Sequence, residues 1–236
     1  MTLERANTSE AVAAHILQQL FTGRLRSGQR LDLDEIAAEL GVSRVPVREG
    51  LIQLERDGLV ERAHYRRAFV AEFDDSTVRE AFELYGMLSA LTNRRVAARR
   101  DPAVAEALGK VDEALADCAD PGEFEALARE FRRVVNVAGA GNHLRALLRT
   151  FSGLVPAAAR FSIDDALPDE RAALHAEYVA LRDGDVEAAG AAALAHLRLT
   201  ADNAILALRR RGVFPPSGTR TPEWTDVARV LEGDGA

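Results

Sequence analysis

Residues 41–60 read GVSRVPVREGLIQLERDGLV, from Gly41 to Val60. Val47, Leu51 and Leu54 fall four and three apart, the apolar stripe of one helix face, and Gly58 closes the run. Ser43 stands where an N-cap is wanted, and Gly41 where the preceding helix needs a left-handed C-cap. That preceding helix is predicted from about Asp34 to Leu40, with Asp32 or Asp34 as its cap, after a turn at Ser27-Gly28. Further upstream, Val12, Ile16 and Leu20, accompanied by Ala13, Leu17 and Phe21, repeat every fourth residue and predict a helix from about Ser9 to Thr22. Downstream, Leu59-Val60 and Ala68-Phe69-Val70 read as two short strands around an arginine-containing turn at about His64 to Arg67. Three helices and a hairpin make a winged helix-turn-helix.

Within the third helix Val47 points inward, so Arg44 and Arg48, four apart, share an exposed face in its N-terminal half. That half of a recognition helix reaches the major groove, where an arginine can hold the O6 and N7 of guanine bidentately or clamp a phosphate. The wing residues His64, Tyr65, Arg66 and Arg67 are placed to reach the backbone or the minor groove. The blander alternative is that Arg44 and Arg48 only solvate the helix, paired with Glu49, Glu55 or Asp57.

After Phe73 the strand signal stops, and helices begin repeatedly at Asp or Asn followed by Pro or acidic residues. Six are predicted, near Ser76–Arg99, Pro102–Asp117, Pro121–Ala138, Asn142–Ile163, Asp169–Arg182 and Asp185–Arg211. The breaks at Gly139-Ala140-Gly141 and Asp183-Gly184-Asp185 are short enough for antiparallel neighbours, so the expected class is mainly α: a winged helix-turn-helix followed by an all-α antiparallel bundle. The chain divides into a DNA-binding domain at 1–73, a helical ligand-binding and dimerisation domain at 74–212, and a tail at 213–236 with a short helix after Thr221-Pro222-Glu223.

At 236 residues and 47% hydrophobic, the chain can fill two such domains. The N-terminus, with Glu4, Arg5 and Glu10, lacks the apolar core of a signal peptide, and no apolar run is long enough to span a bilayer. A cytoplasmic protein with no membrane partner is expected. The lone Cys118 excludes an intramolecular disulfide and any C-x-x-C motif. A net charge of -7 argues against a nucleic-acid partner until it is divided: 10 Arg face 11 acidic residues from Met1 to Glu72, so the surplus lies beyond.

The string at 41–60 closely resembles the helix-turn-helix signature of the GntR family of bacterial regulators, and the helical remainder is similar to the FadR-like subfamily with its FCD ligand-binding domain. The resemblance is strong up to Val70 and weaker beyond. It implies that Arg44 and Arg48 contact DNA, that Ser43 caps the helix and touches phosphate, and that the wing tip enters the minor groove. Where the wing usually carries a glycine before its last strand, this chain has Arg67.

FCD domains commonly hold a divalent metal with one Asp and three His, the first pair lying in an Asp-x-x-Phe-His helix. Here the stretch is Ala128-Arg129-Glu130-Phe131-Arg132, so two of those four ligands are missing, while His175 and His196 stand at the other two positions. Asn136 lies one turn beyond Arg132 on the same face. The stretch Tyr85-Gly86-Met87-Leu88-Ser89-Ala90 also lacks the Arg and Glu usual on the first helix of this domain. The expectation is a site with no metal, in which Arg132, with Asn136, His175 and His196, holds a small anion such as a carboxylate. The alternative is a divalent ion held weakly by His175 and His196, with Glu130 or Glu177 lending an oxygen. The expected function is a ligand-responsive repressor that binds a palindromic operator in double-stranded DNA as a homodimer. Two rivals stand beside it: a DNA-binding protein whose helical part only dimerises, and an enzyme using the two histidines, for which no nucleophile motif or phosphate loop speaks.

Overall fold

The computed structural model describes residues 2–63, 67–151 and 153–214. The long α1 (Thr2–Phe21) buries Val12, Ile16 and Leu20. After it come β1 (Arg30–Leu31), α2 (Leu33–Leu40) and α3 (Arg44–Arg56). Asp32 caps α2, accepting from the backbone of Asp34 and Glu35, and Gly41 ends it at φ 64°, a left-handed turn that costs a residue with a Cβ. The hairpin β2 (Val60–Ala63) and β3 (Arg67–Val70) follows, with Val60 opposite Val70. The sheet has three strands, in the order β1-β3-β2, where the sequence predicted two. Two residues are too few to show alternation, and only the pairing with β3, Arg30 with Phe69 and Leu31 with Ala68, makes β1 a strand. The wing tip His64, Tyr65 and Arg66 lies outside the described residues, as does the tail from 215 onward with its expected helix; of Arg67 only the strand position is described.

The helical part comprises α4 (Asp75–Arg99), α5 (Pro102–Asp117), α6 (Pro121–Gly139), α7 (Asn142–Thr150), α8 (Leu154–Asp183) and α9 (Val186–Arg210). Asp74, Asp101, Asp120 and Asp185 cap α4, α5, α6 and α9 as the Asp starts predicted. The expected helix at 142–163 is corrected. It breaks after Thr150, and its second half continues through a kink at Ala166 (φ -130°) into the helix expected from Asp169. Pro168, which lacks a backbone N–H, bends this helix without ending it. Gly153, at the start of α8, lies against the Asp57 carboxylate at the end of α3, leaving no room for a Cβ.

One hydrophobic core runs from α1, α2 and α3 through Phe73 and Phe82 to the first half of α8 and the end of α9. Phe21 meets Phe73 at 5.6 Å and Phe161 edge-on at 5.5 Å, and Phe73 meets Phe214 at 5.5 Å. Val213 and Phe214, read from sequence as the start of the tail, are buried in this core. A second core joins α5, α6 and the later part of α8 around Leu108, Phe124, Phe131 and Leu174; each such side chain contributes about 1.5–3 kcal/mol on burial. Among the described residues no helix is long and apolar enough to cross a membrane.

Candidate DNA interface and internal cavity

The start of α3 projects from the molecule. Pro46, Val47, Gly50, Leu51 and Leu54 are buried on the inward stripe, while Ser43, Arg44, Val45 and Arg48 are exposed. Ser43 occupies the N-cap position with extended backbone, but its side chain makes no capping hydrogen bond, which departs from the expected cap. The first-turn N–H groups are thus left to an outside acceptor such as phosphate. Arg44 is not paired with Glu49, Glu55 or Asp57; its Nε and Nη2 donate to the two carboxylate oxygens of Asp34 on α2. Val45, half exposed between the arginines, offers an apolar contact of the kind a thymine methyl accepts. The sequence reading singled out neither Val45 nor Asp34 for this face. Their signal was their position: Val45 lies between the arginines, and Asp34 lies in the first turn of the neighbouring helix.

In the helical part, α4, α6, α8 and α9 line a half-open cavity of about 430 Å³ with walls from Phe82, Phe124, Val155, Leu174 and Leu197. Arg132, Asn136, Ser162, Glu170, His196 and Thr200 are among its polar lining, with Tyr85, Glu125, Arg129 and Arg133 also on the wall. Arg132 donates from Nη1 and Nη2 to the two oxygens of Glu177, a carboxylate that also accepts from Asn93 Nδ2 at 2.7 Å. His196 lies between two carboxylates, its Nδ1 2.6 Å from Glu177 and its Nε2 3.1 Å from Glu170. Glu170 accepts further from Ser162 Oγ at 3.1 Å and Thr200 Oγ1 at 2.8 Å. Burial by itself would push the Glu177 carboxyl upward, but the Arg132 charge and the His196 contact outweigh it and hold it at about 2. Burial likewise works against a charged His196, yet its bonds to Glu170 and Glu177 raise its pKa above the ordinary value. Arg132 and His196 therefore face two carboxylates, with Arg132 Nη2 also 2.8 Å from His196 Nδ1.

The structure brings Arg132, Asn136 and His196 to the cavity and leaves His175 out. His175 is largely exposed on α8, and its Nδ1 lies 3.0 Å from both oxygens of Asp112 on α5. The expected constellation is corrected accordingly: Glu170, not His175, completes the polar end, and Glu177 stands buried behind Arg132 and His196. Leu174 explains this, because it is buried at the cavity and residues 170, 174 and 177 follow the helical spacing of one face, which excludes 175. These residues do not suit a divalent cation. Both nitrogens of His196 and all four oxygens of Glu170 and Glu177 already have partners, and the Arg132 guanidinium stands among them as a fixed cation.

Residues 8–70 match the model for bacterial regulatory proteins of the gntR family, and residues 80–199 match that of the FCD domain. An HTH-type transcriptional regulator of Mycobacterium tuberculosis is 40% identical over 217 residues, spanning 89% of this chain and 86% of its own. The chain belongs to the GntR family. A protein of Paenarthrobacter nicotinovorans named a probable D-xylose utilization operon transcriptional repressor is 29% identical across 83% of this GntR regulator and 88% of its own length. In fold, the regulator is similar to Escherichia coli McbR/YncC, with a TM-score of 0.62 at 20% identity over 86% of this chain and 98% of that one. A GntR family member from Pseudomonas syringae pv. tomato gives 0.52 at 23%, over 88% and 89%. This GntR protein is a DNA-binding transcription regulator with a helical FCD domain, and not an enzyme.

Proposed function

We propose that this GntR-family regulator is a repressor that binds a palindromic operator as a homodimer and leaves it when a small monocarboxylate with an apolar body fills the FCD cavity. Residues 1–73 read the DNA through Arg44 and Arg48, assisted by Ser43 and the wing residues His64, Arg66 and Arg67; residues 74–212 sense and dimerise. The observation that carries the effector class is the cavity itself, apolar along most of its wall with Arg132, Asn136 and His196 at its polar end. An effector carboxylate shares the Arg132 donors with Glu177, so one added negative charge is tolerated there and two are disfavoured. The Arg132 guanidinium supplies the positive charge that a metal supplies elsewhere, so the effector binds without one. The repressor sense is supported by the relative named for D-xylose utilization. A second copy fits the exposed face of α4, where Leu84, Leu88 and Leu91 recur at helical spacing and Leu84 and Leu91 remain exposed, with exposed Leu147 on neighbouring α7.

The test begins with selection of bound genomic fragments to obtain the operator. A panel of monocarboxylates of increasing apolar size, beside dicarboxylates and sugars, is then screened by thermal shift and by release of labelled operator. Monocarboxylates are expected to raise the melting temperature and release DNA, and Ala128→Phe, which fills the cavity, to abolish both responses while retaining operator binding. A sugar or dicarboxylate acting in their place would overturn the effector class.

A further inference from the structure

We propose that Asp34 is a specificity-determining residue of the DNA interface: it fixes the Arg44 guanidinium so that only the outer edge of this group is presented to a base. This rests on the reading of Arg44 as a base contact. A guanidinium has two edges that can donate in parallel, the Nε/Nη2 side and the Nη1/Nη2 end. Asp34 takes the first, since Nε and Nη2 reach its two oxygens. The Nη1/Nη2 end remains, with the parallel donors that match O6 and N7 of guanine.

The carboxylate is well placed to impose this geometry. Asp34 lies in the first turn of α2, and its backbone N–H is held by the capping Asp32 at 2.9 Å. Arg44 is the first residue of α3, so the bridge spans the turn of the helix-turn-helix and ties the two helices at the end that meets DNA. Both side chains are more than half exposed, so the pair adds little to folding. Its charge is also unfavourable for general DNA affinity, because a carboxylate beside the phosphates repels them. A residue that gains little in stability and costs non-specific affinity is explained by what it does for its partner: it removes alternative rotamers of a long side chain and forbids the side-on approach to phosphate or to other bases.

The experiment uses the full chain and a randomised double-stranded DNA library, from which wild type, Asp34→Ala, Arg44→Ala and the double variant are each used to select sites. Competition titrations then compare the selected duplex with one in which each G·C pair is changed in turn. Wild type should prefer G·C at one position per half-site by about tenfold or more. Arg44→Ala should lose that preference. Asp34→Ala should reduce it to about threefold or less while binding arbitrary duplexes as well as wild type or better. In the Arg44→Ala background, Asp34→Ala should change no base preference. If the preference survives in Asp34→Ala, or if that variant gains affinity equally for all sequences with discrimination unchanged, the inference fails although Arg44 remains a base contact. If Arg44→Ala keeps wild-type preference, the underlying assignment of Arg44 fails instead. Thermal melts and sedimentation of each variant confirm that fold and assembly are retained.

Discussion

Arg132 on α6 and Glu177 on α8 form a two-bond ion pair in which the carboxylate is wholly buried and the guanidinium lines the cavity. Breaking one side of such a pair strands the other charge in an apolar surrounding. Glu177→Gln should therefore lower stability by about 3–5 kcal/mol, whereas Arg132→Met with Glu177→Leu should recover much of the loss. Urea unfolding of the three proteins at neutral pH is the measurement. Near-wild-type stability of Glu177→Gln would show that the pair holds nothing in place.

Acid should act on the same pair. The Glu177 carboxyl is held at about 2 in the folded protein, below its ordinary value, so its contribution is present above the ordinary carboxylate range and is lost as pH falls toward about 2. Wild type should destabilise steeply over that interval, and Glu177→Gln more gently. His196 works in the opposite direction: its pKa is raised, so its contribution is complete below the ordinary histidine range and fades as pH rises through the folded value. His196→Gln should flatten the alkaline side of the profile. A melting series from acid to alkaline pH reads both.

Asp57 should behave in the reverse sense to Glu177. Burial against the start of α8 pushes its carboxyl up to about 6, and its Oδ2 has no hydrogen-bond partner. A raised acid pKa means that ionisation costs the folded state, so stability declines as pH rises from the ordinary Asp value to about 6. Asp57→Asn should melt higher than wild type at pH 7 and no higher at pH 4. Equal differences at both values would remove charge from the explanation.

Arg48→Ala should weaken operator binding by about 1–3 kcal/mol per half-site and leave thermal stability unchanged, because the side chain is exposed. A gel-shift titration beside a melt separates the two effects. Binding equal to wild type would take Arg48 out of the interface.

Chelation and His175→Ala should leave effector binding untouched. At the polar end of the cavity Arg132 and His196 are bonded to Glu170 in the lining and to Glu177 buried behind it, and His175 faces Asp112 instead. Elemental analysis of protein purified without metal-affinity resin, followed by thermal shift with and without chelator, checks this. Near-stoichiometric zinc, nickel or manganese lost on mutating His196 would refute it.

The fold was legible wherever one residue spoke for its own neighbourhood. Asp101-Pro102 and Asp120-Pro121 announce helix starts locally, and Val12, Ile16 and Leu20 betray a buried face through spacing alone. What escaped depended on distant partners. β1 exists because Arg30 and Leu31 pair with Phe69 and Ala68, and Gly153 before α8 sits against the Asp57 carboxylate at the end of α3. In the cavity, Arg132, Asn136 and His196 were found from sequence, while His175 was chosen over Glu177 two residues away. The apolar Leu174 shows which face of that helix is inward, and the same spacing that located the core would have separated the two. Glu170 carried no such flag, since a buried carboxylate looks like a surface one until its donors are assembled around it.

Phe21 and Phe73 come from the winged helix-turn-helix part, Phe161 from the helical part and Phe214 from the start of the tail, yet the four rings form one piece of core. A foreign sensor spliced on at residue 74 would leave Phe21 and Phe73 against an unmatched surface and expose aromatic area that now stabilises both halves. The two parts are therefore packed as one body, and replacing either alone would uncover aromatic surface of the other.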